Sequence, residues 1–165
     1  MSNINKIKDY LYDWLSEFAE FRFSNQSVGV SKYPFIICSL RTINKKGFDQ
    51  SLLNLQNEEV INYGLREFNI SLDIYDSEDG NALQISQNII DSIDSIHVRN
   101  LFKEINVVFE SNITANDLTS LLKSFFEQRI HFDIIAKYTS NIKDKIDVID
   151  LNNVEVKGVL NVNIC

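Results

Sequence analysis

The chain has 165 residues, 44% of them hydrophobic, and a formal net charge of −7. This length and composition predict one globular domain over residues 1–165 and exclude an intrinsically disordered chain. The acidic balance argues against a protein that grips DNA, because phosphate binding needs clustered Lys and Arg. No apolar run approaches the roughly 20 residues that span a bilayer, so no membrane association is expected.

The two cysteines, Cys38 and Cys165, do not have the spacing of zinc ligands. We therefore expect no metal, no cofactor and no structural disulfide. The N-terminal stretch lacks the uninterrupted apolar core of a signal peptide, which predicts synthesis in a cytoplasm.

The first predicted element is a helix over residues 3–20. Its apolar residues recur at steps of three and four, namely Ile4, Ile7, Leu11, Trp14, Leu15 and Phe18. Such a stripe is typical of a helix packed against a core. Residues 21–33 are polar and rich in turn formers, and they predict no regular element.

A buried strand is predicted over residues 34–40, where Pro34 opens the apolar stretch PFIICSL. Residues 44–57 contain Gly47 and predict a long loop, a kind of segment that is often functional. A strand is predicted over residues 59–66. In the next stretch Phe68, Ile70, Leu72 and Ile74 alternate with polar residues, which indicates a strand with one wet face and, with 59–66, a long antiparallel hairpin.

The second half of the chain predicts two helices and three strands. A helix over residues 77–93 is capped by Asp76 or Ser77, and its inner stripe is Ala82, Ile85, Ile89, Ile93 and Ile96. A strand follows at 105–111, and a variant capping box predicts a short helix over 114–122. In the next strand, Ile130, Phe132, Ile134, Ala136 and Tyr138 share one face. The terminal strand holds Val154, Val156, Leu160, Val162 and Ile164, with Gly158 as a bulge or close-contact point. This order predicts an α+β fold, a mostly antiparallel β-sheet with helices packed on one face.

The stretch FFEQRIHFDIIAKYTS places His131 and Asp133 on the same strand face, where they could form an acid–base pair. No nucleophile, metal or phosphate motif accompanies them, so we predict a polar strand face and no enzyme. The alternatives from other classes are a small hydrolase or nucleotide-binding enzyme using this pair, and a module that binds a small ligand in an apolar pocket. The acidic residues Asp73, Asp76, Glu78 and Asp79 lack calcium-loop spacing and are interpreted as belonging mainly to a helix start.

The same stretch, continued by VIDLNNVEVKG, resembles the C-terminal half of the phage neck or tail terminator family. In that family a strand of the form R-x-x-F-D, followed by alternating apolar residues and a tyrosine, leads through a polar turn to a closing V-x-apolar-x-G strand. The matching residues here are Arg129, Phe132, Asp133, Ile134, Tyr138, Val154, Val156 and Gly158. The leading helix with Trp14 and the strand–turn–helix that begins at GLREFN are compatible with it.

The resemblance implies a virion protein of the neck or upper tail, assembled in the host cytoplasm. It implies a ring, commonly hexameric, that caps the tail tube and meets the tube protein, a neck, head-completion or connector protein, and the sheath if the tail is contractile. Genome DNA would pass through the lumen without specific binding. Another neck adaptor or a tube component is the structural alternative. The interface residues that we predict are Lys45, Lys46, Phe48, Asp49, Arg129, His131, Asp133, Val156, Gly158 and Leu160.

Overall fold

The computed structural model describes residues 3–26, 32–54, 59–122 and 125–145. The helices are α1 (Asn3–Leu15), α2 (Ala82–Ile93) and α3 (Ile96–Lys103), and the strands are β1 (Glu20–Phe23), β2 (Phe35–Asn54), β3 (Glu59–Asp76), β4 (Val107–Phe109), β5 (Asn116–Asp117), β6 (Ser120–Leu122) and β7 (Phe125–Lys145). The predicted α+β class is confirmed. The predicted terminal strand, with Val156, Gly158 and Leu160, lies outside the described residues.

Within the described residues the sheet has seven strands, and β3 lies at its centre. Its main order is β1-β2-β3-β7-β4, with β5 and β6 also paired to β7. The β1–β2 pair is parallel, whereas every other pair is antiparallel. Leu72 of β3 stands between Cys38 of β2 and Phe132 of β7, so these three side chains share one face.

The hydrophobic core lies between the helices and one face of this sheet, as predicted. The alternating residues of β3 and β7 are buried, namely Phe68, Ile70, Leu72, Ile74, Ile130, Phe132, Ile134, Ala136 and Tyr138. Helix α1 contributes Ile7, Leu11, Trp14 and Leu15 to the same cluster. The Trp14 ring packs edge-on against Phe102, and its Nε1 donates to Ser92 Oγ at 2.9 Å. Burial of the indole ring and the hydrogen bond of its Nε1 thus hold Trp14 in the helical layer.

The helix predicted over residues 3–20 ends early, at Leu15. Residues 20–23 form β1, which pairs with residues 35–38 of β2. This region was predicted to contain the helix end and a loop. The strand forms because Phe21 and Phe23 alternate with polar residues, and four residues are too few for that pattern to stand out beside the preceding helix.

The helix predicted over 77–93 begins later, at Ala82, and a further helix follows that the sequence did not predict. The Asp76 carboxylate accepts hydrogen bonds from the backbone N–H groups of Ser77 and Asn81, at 2.8 and 2.7 Å, and this holds a turn before α2. Ser95 caps α3 by accepting from Val98 N at 3.2 Å. Ile96 therefore starts a new helix and is exposed instead of lying on the inner stripe of α2.

The short helix predicted over 114–122 is wrong, because this segment forms β5 and β6 along the edge of β7. Leu118 N donates to Arg129 O at 2.7 Å, and Asp117 accepts from Thr119 N at 2.9 Å in a local turn. Pairing with a long neighbouring strand therefore overrides the local capping signal.

The loop predicted over 44–57 is also wrong as far as Asn54, because β2 continues to that residue. It pairs with the first half of β3, which was predicted as a strand, and β3 pairs with the end of β7. We call this three-stranded extension the arm; it comprises residues 43–54, 59–67 and 139–145. The polar residues and Gly47 of this part of β2 are typical of a loop. Backbone hydrogen bonds among the three strands nevertheless stabilise it as a strand.

Candidate functional site

The first group of predicted interface residues lies on a bulge in the arm. Lys46 pairs with Leu65 and Gln50 pairs with Tyr63, so the three residues 47–49 stand opposite Gly64 alone. Gly47 has a φ of 68°, which a glycine adopts without strain. Extra residues of this kind bend a strand and redirect its side chains, and they often mark functional positions.

Asp49 holds this bulge closed from inside. Its two carboxylate oxygens accept from Arg66 Nη1 and Nη2, each at 2.9 Å, and Lys45 Nζ lies 3.0 Å from Oδ2. The Arg66 and Lys45 hydrogen bonds hold the pKa of Asp49 well below its usual range. A side chain on Gly64 would collide with the Asp49 carboxylate, so the pair needs a glycine at that point.

Phe48 lies at the crest of the bulge and is 100% exposed. Its neighbour Lys46 forms an ion pair with Glu67 at 3.0 Å, across the strand. The charged residues that were predicted to contact partners therefore fix the bulge, whereas the phenyl ring stands free in solvent. Aromatic side chains such as this one are enriched at the centres of protein–protein contacts.

The second group, Arg129, His131 and Asp133, lies on the sheet face opposite the helices, which we call the polar face. Asp73 Oδ1 accepts from Arg129 Nε and Nη2, at 3.0 and 2.9 Å, and lies 3.1 Å from His131 Nδ1. His131 Nε2 lies 3.7 Å from Asp133 Oδ1. The predicted His131–Asp133 neighbourhood is therefore present, but Asp73 is the central residue of the cluster.

The cluster continues into a row of aromatic rings. The Arg129 guanidinium lies 5.4 Å from the centre of the Tyr75 ring, and Tyr75 stacks on Phe35 at 4.8 Å. The hydrogen bonds to Asp73 raise the pKa of Arg129 above its usual value. Asp73 and Ser71 are buried, although this face of β3 was predicted to be wet. The arrangement joins β3 to β7 and orients His131 between two carboxylates.

The sequence did not single out Gly64 and Arg66, and it did not identify Asp73 as the partner of Arg129 and His131. Asp73 was assigned with the acids near the helix start, although it stands directly opposite His131 in the strand register. The pairing of Asp73 with His131 can be recognised only when the residues of β3 and β7 are aligned in register. The three predicted positions Val156, Gly158 and Leu160 lie outside the described residues. The described interface candidates therefore form two surfaces, the bulge of the arm and the polar face.

Other features of the described residues bear on binding chemistry. Within these residues no group of three or more His, Cys, Asp or Glu side chains could hold a metal ion. Cys38 is buried in the core, and burial raises its pKa to about 12. None of the described helices is long and apolar enough to cross a membrane.

Comparison with known proteins identifies the family of the chain. No curated protein matches the chain. Residues 5–160, nearly the whole chain, match the family described as phage neck terminator protein. This match spans the helical layer, the arm and the polar face, and the chain therefore belongs to the phage neck terminator protein family.

Proposed function

We propose that this neck protein is a tail terminator, which forms an oligomeric ring, a hexamer, on the end of the tail tube. The ring joins the tail to the connector beneath the head and has no enzymatic activity. Its partners are its own copies, the tube protein, a neck or head-completion protein and, in a contractile tail, the sheath. As a member of a phage neck family, the protein is a structural component of the virion.

The observation that carries this proposal is the apolar surface of the arm. Large apolar side chains are exposed on it, namely Ile43, Phe48, Leu52, Leu53, Leu65 and Ile142. Leu53 and Ile142 share one face of the arm, whereas Leu52 and Leu65 share the other. An extension with exposed apolar side chains on both faces gains stability when neighbouring proteins cover it.

The two outer strands of the arm also offer backbone groups to partners. In the described part of the chain, β2 beyond Cys38 and β7 beyond Tyr138 each have a paired strand on one side only. Unpaired strand edges accept a further strand from another chain. Copies or tube subunits that add to these edges would satisfy the backbone and bury the apolar side chains together.

The acidic balance is compatible with a ring through which DNA moves. A lumen without clustered Lys and Arg would not retain phosphates, and the chain has 23 Asp and Glu against 16 Lys and Arg. Termination itself requires that the ring accept a tube ring on one side and refuse another on the opposite side.

Electron microscopy of the purified full chain, alone and mixed with tail tubes, tests the proposal. A terminator gives rings, or single caps on tube ends, and stops further growth of the tubes. Long cylinders would instead identify a tube protein, and binding to connectors without binding to tubes would identify a neck adaptor. A protein that stays monomeric and leaves tube ends bare contradicts the proposal. Replacing His131 with Ala tests the enzyme alternative: loss of a chemical activity with assembly intact would identify a small hydrolase or nucleotide-binding enzyme.

A further inference from the structure

A cavity lies at the notch where the arm leaves the helical layer. Its volume is about 650 Å³, and apolar side chains form much of its wall, including Leu65, Phe102, Val107, Val108, Phe109 and Tyr138. Arg99, Lys103 and Lys137 also border it. A cavity of this size is within the range of about 300–1,000 Å³ that encloses small ligands, so one phenyl ring fits inside it.

The cavity and Phe48 lie on opposite edges of the sheet. Phe48 is on β2, and the cavity is beside β7 and β4, with β3 between β2 and β7. Val108 of β4 is three strand spacings from β2, or roughly 14 Å. The Phe48 ring of a given copy therefore cannot fill the cavity of the same copy across the sheet.

Phe48 and the cavity lie at nearly the same height along the strands. The bulge that carries Phe48 stands opposite Gly64, and Gly64 stands opposite Ser140 of β7. The cavity is bordered by the adjacent pair, Leu65 and Thr139, and by Tyr138. The offset is one or two residues, which corresponds to roughly 3–7 Å of strand.

We propose that Phe48 of one copy inserts into this cavity of the next copy, so that the ring grows by head-to-tail contacts between opposite edges of the sheet. The proposal rests on the proposed ring and names the contact that closes it. A contact between two different surfaces forms a closed ring under two conditions. The rotations between successive copies must add up to a full turn, and there must be no translation along the ring axis. The offset of one or two residues between Phe48 and the cavity is small enough for the side chains of neighbouring copies to meet without a rise, with the ring axis along the strands.

A mixing experiment tests the head-to-tail geometry. Phe48→Asp removes the knob, and Val108→Glu places a charge in the cavity; both residues are exposed, so both variants should fold. Each variant alone should lose rings, with self-association weakened roughly 30-fold or more. Mixed together they should form heterodimers, because one intact knob meets one intact cavity. Ile96→Asp, an exposed apolar residue on α3, is the matched control and should keep its rings.

Cysteine cross-linking provides a second readout that detects transient contacts. In a Cys165→Ser background, the Phe48→Cys, Val108→Cys double variant should give an oxidised ladder that ends at the closed ring. An internal disulfide is excluded because the two strands are farther apart than the 4.4–6.8 Å that Cα atoms of a disulfide allow. Each single variant should give no ladder.

The outcomes separate this contact from the proposed function. Rings that persist in Phe48→Asp, or a ladder missing from the double variant while the wild type forms rings, would overturn the inference and leave the terminator intact. Such a result would assign the cavity to another occupant, such as the tube protein or another segment of the same chain. A wild type that neither forms rings nor caps tubes, together with a double variant that gives no ladder, overturns both.

Discussion

The same three strands, β2, β3 and β7, pass through two different environments. In the body of the protein, β3 residues such as Ile70 and Leu72 are completely buried beneath the helices. In the arm, polar pairs cross the strands instead: Ser51 Oγ donates to Asn62 at 2.5 Å, and Asn62 donates to Asp144 at 2.9 Å. Burial thus stabilises the body, whereas strand pairing and polar side-chain contacts stabilise the arm, and this leaves the apolar side chains of the arm available to partners.

Replacing one phenylalanine by alanine in each region should give the largest difference in the free energy of unfolding. Phe132→Ala empties a fully buried site and should lower the free energy of unfolding by about 3–5 kcal/mol. Phe48→Ala removes the same atoms from a fully exposed site and should change it by less than about 0.5 kcal/mol. Urea denaturation of both variants measures this difference. A large loss of stability in Phe48→Ala would mean that Phe48 packs within its own chain.

Alkaline pH should weaken the body through Cys38. Burial raises the pKa of this thiol to about 12, above the ordinary value of 9.0. The unfolded thiol therefore loses its proton first, so stability is complete below pH 9 and is lost as pH rises toward 12, by up to about 1.4 kcal/mol per pH unit. In Cys38→Ala the slope of stability against pH over this window should become shallower, by urea denaturation at each pH. An unchanged slope would assign the alkaline loss to other groups, such as Tyr33, whose hydrogen bond to Glu127 raises its pKa to about 12.

The polar face should show an intermediate effect. Asp73→Asn removes the charge that Arg129 and His131 share, and should cost about 1–3 kcal/mol because hydrogen bonds to a buried charged group are lost. Asp133→Asn is the matched control. Its side chain is 48% exposed and lies 3.7 Å from His131, so its cost should stay below about 1 kcal/mol. Equal costs measured by urea denaturation would mean that Asp73 is not the centre of the cluster.

Gly64→Ala should lower the free energy of unfolding by about 1–2 kcal/mol, because the added methyl overpacks the bulge. The added methyl collides with the Asp49 carboxylate, so most of that cost should disappear in an Asp49→Ala background. A double-mutant cycle on urea denaturation measures this coupling. Additive costs would show that the glycine is required for a reason other than the Asp49–Arg66 pair.

The contrast between body and arm also explains what the sequence could predict. The alternation of Phe68, Ile70, Leu72 and Ile74 reports burial directly, and the central strands of the body and the stripe of α1 as far as Leu15 were confirmed for that reason. The β2 side of the arm has no such pattern, because its side chains are exposed on both faces. A strand held by pairing to non-local neighbours is therefore interpreted as a loop, and Leu121 of β6 was assigned to a helix on local signals for the same reason.

The candidate site was predictable only as a set of residue types. Lys45, Lys46, Phe48 and Asp49 were assigned to an interface, but the sequence could not separate the residues that fix the bulge from the one that it displays. That distinction depends on the pairing with Gly64 and Arg66, which lie 15 or more positions away. Likewise, His131 and Asp133 were visible as neighbours, whereas Asp73 becomes their partner through strand register.

The smallest predicted effect is the loss of the Asp49 ion pairs at acidic pH, and it is confined to the arm. The folded pKa of Asp49 is below its ordinary value, so its ion pairs contribute fully above that value and are lost only as pH falls through the lower folded pKa. Arg66 makes two hydrogen bonds to the carboxylate and is the larger cause, with Lys45 second. In a carboxyl NMR titration, Arg66→Ala should therefore raise the midpoint of Asp49 more than Lys45→Ala does, while signals from the body stay unchanged. The reverse order would mean that Lys45 holds the bulge, and signals that shift throughout the body would mean that arm and body respond as one unit.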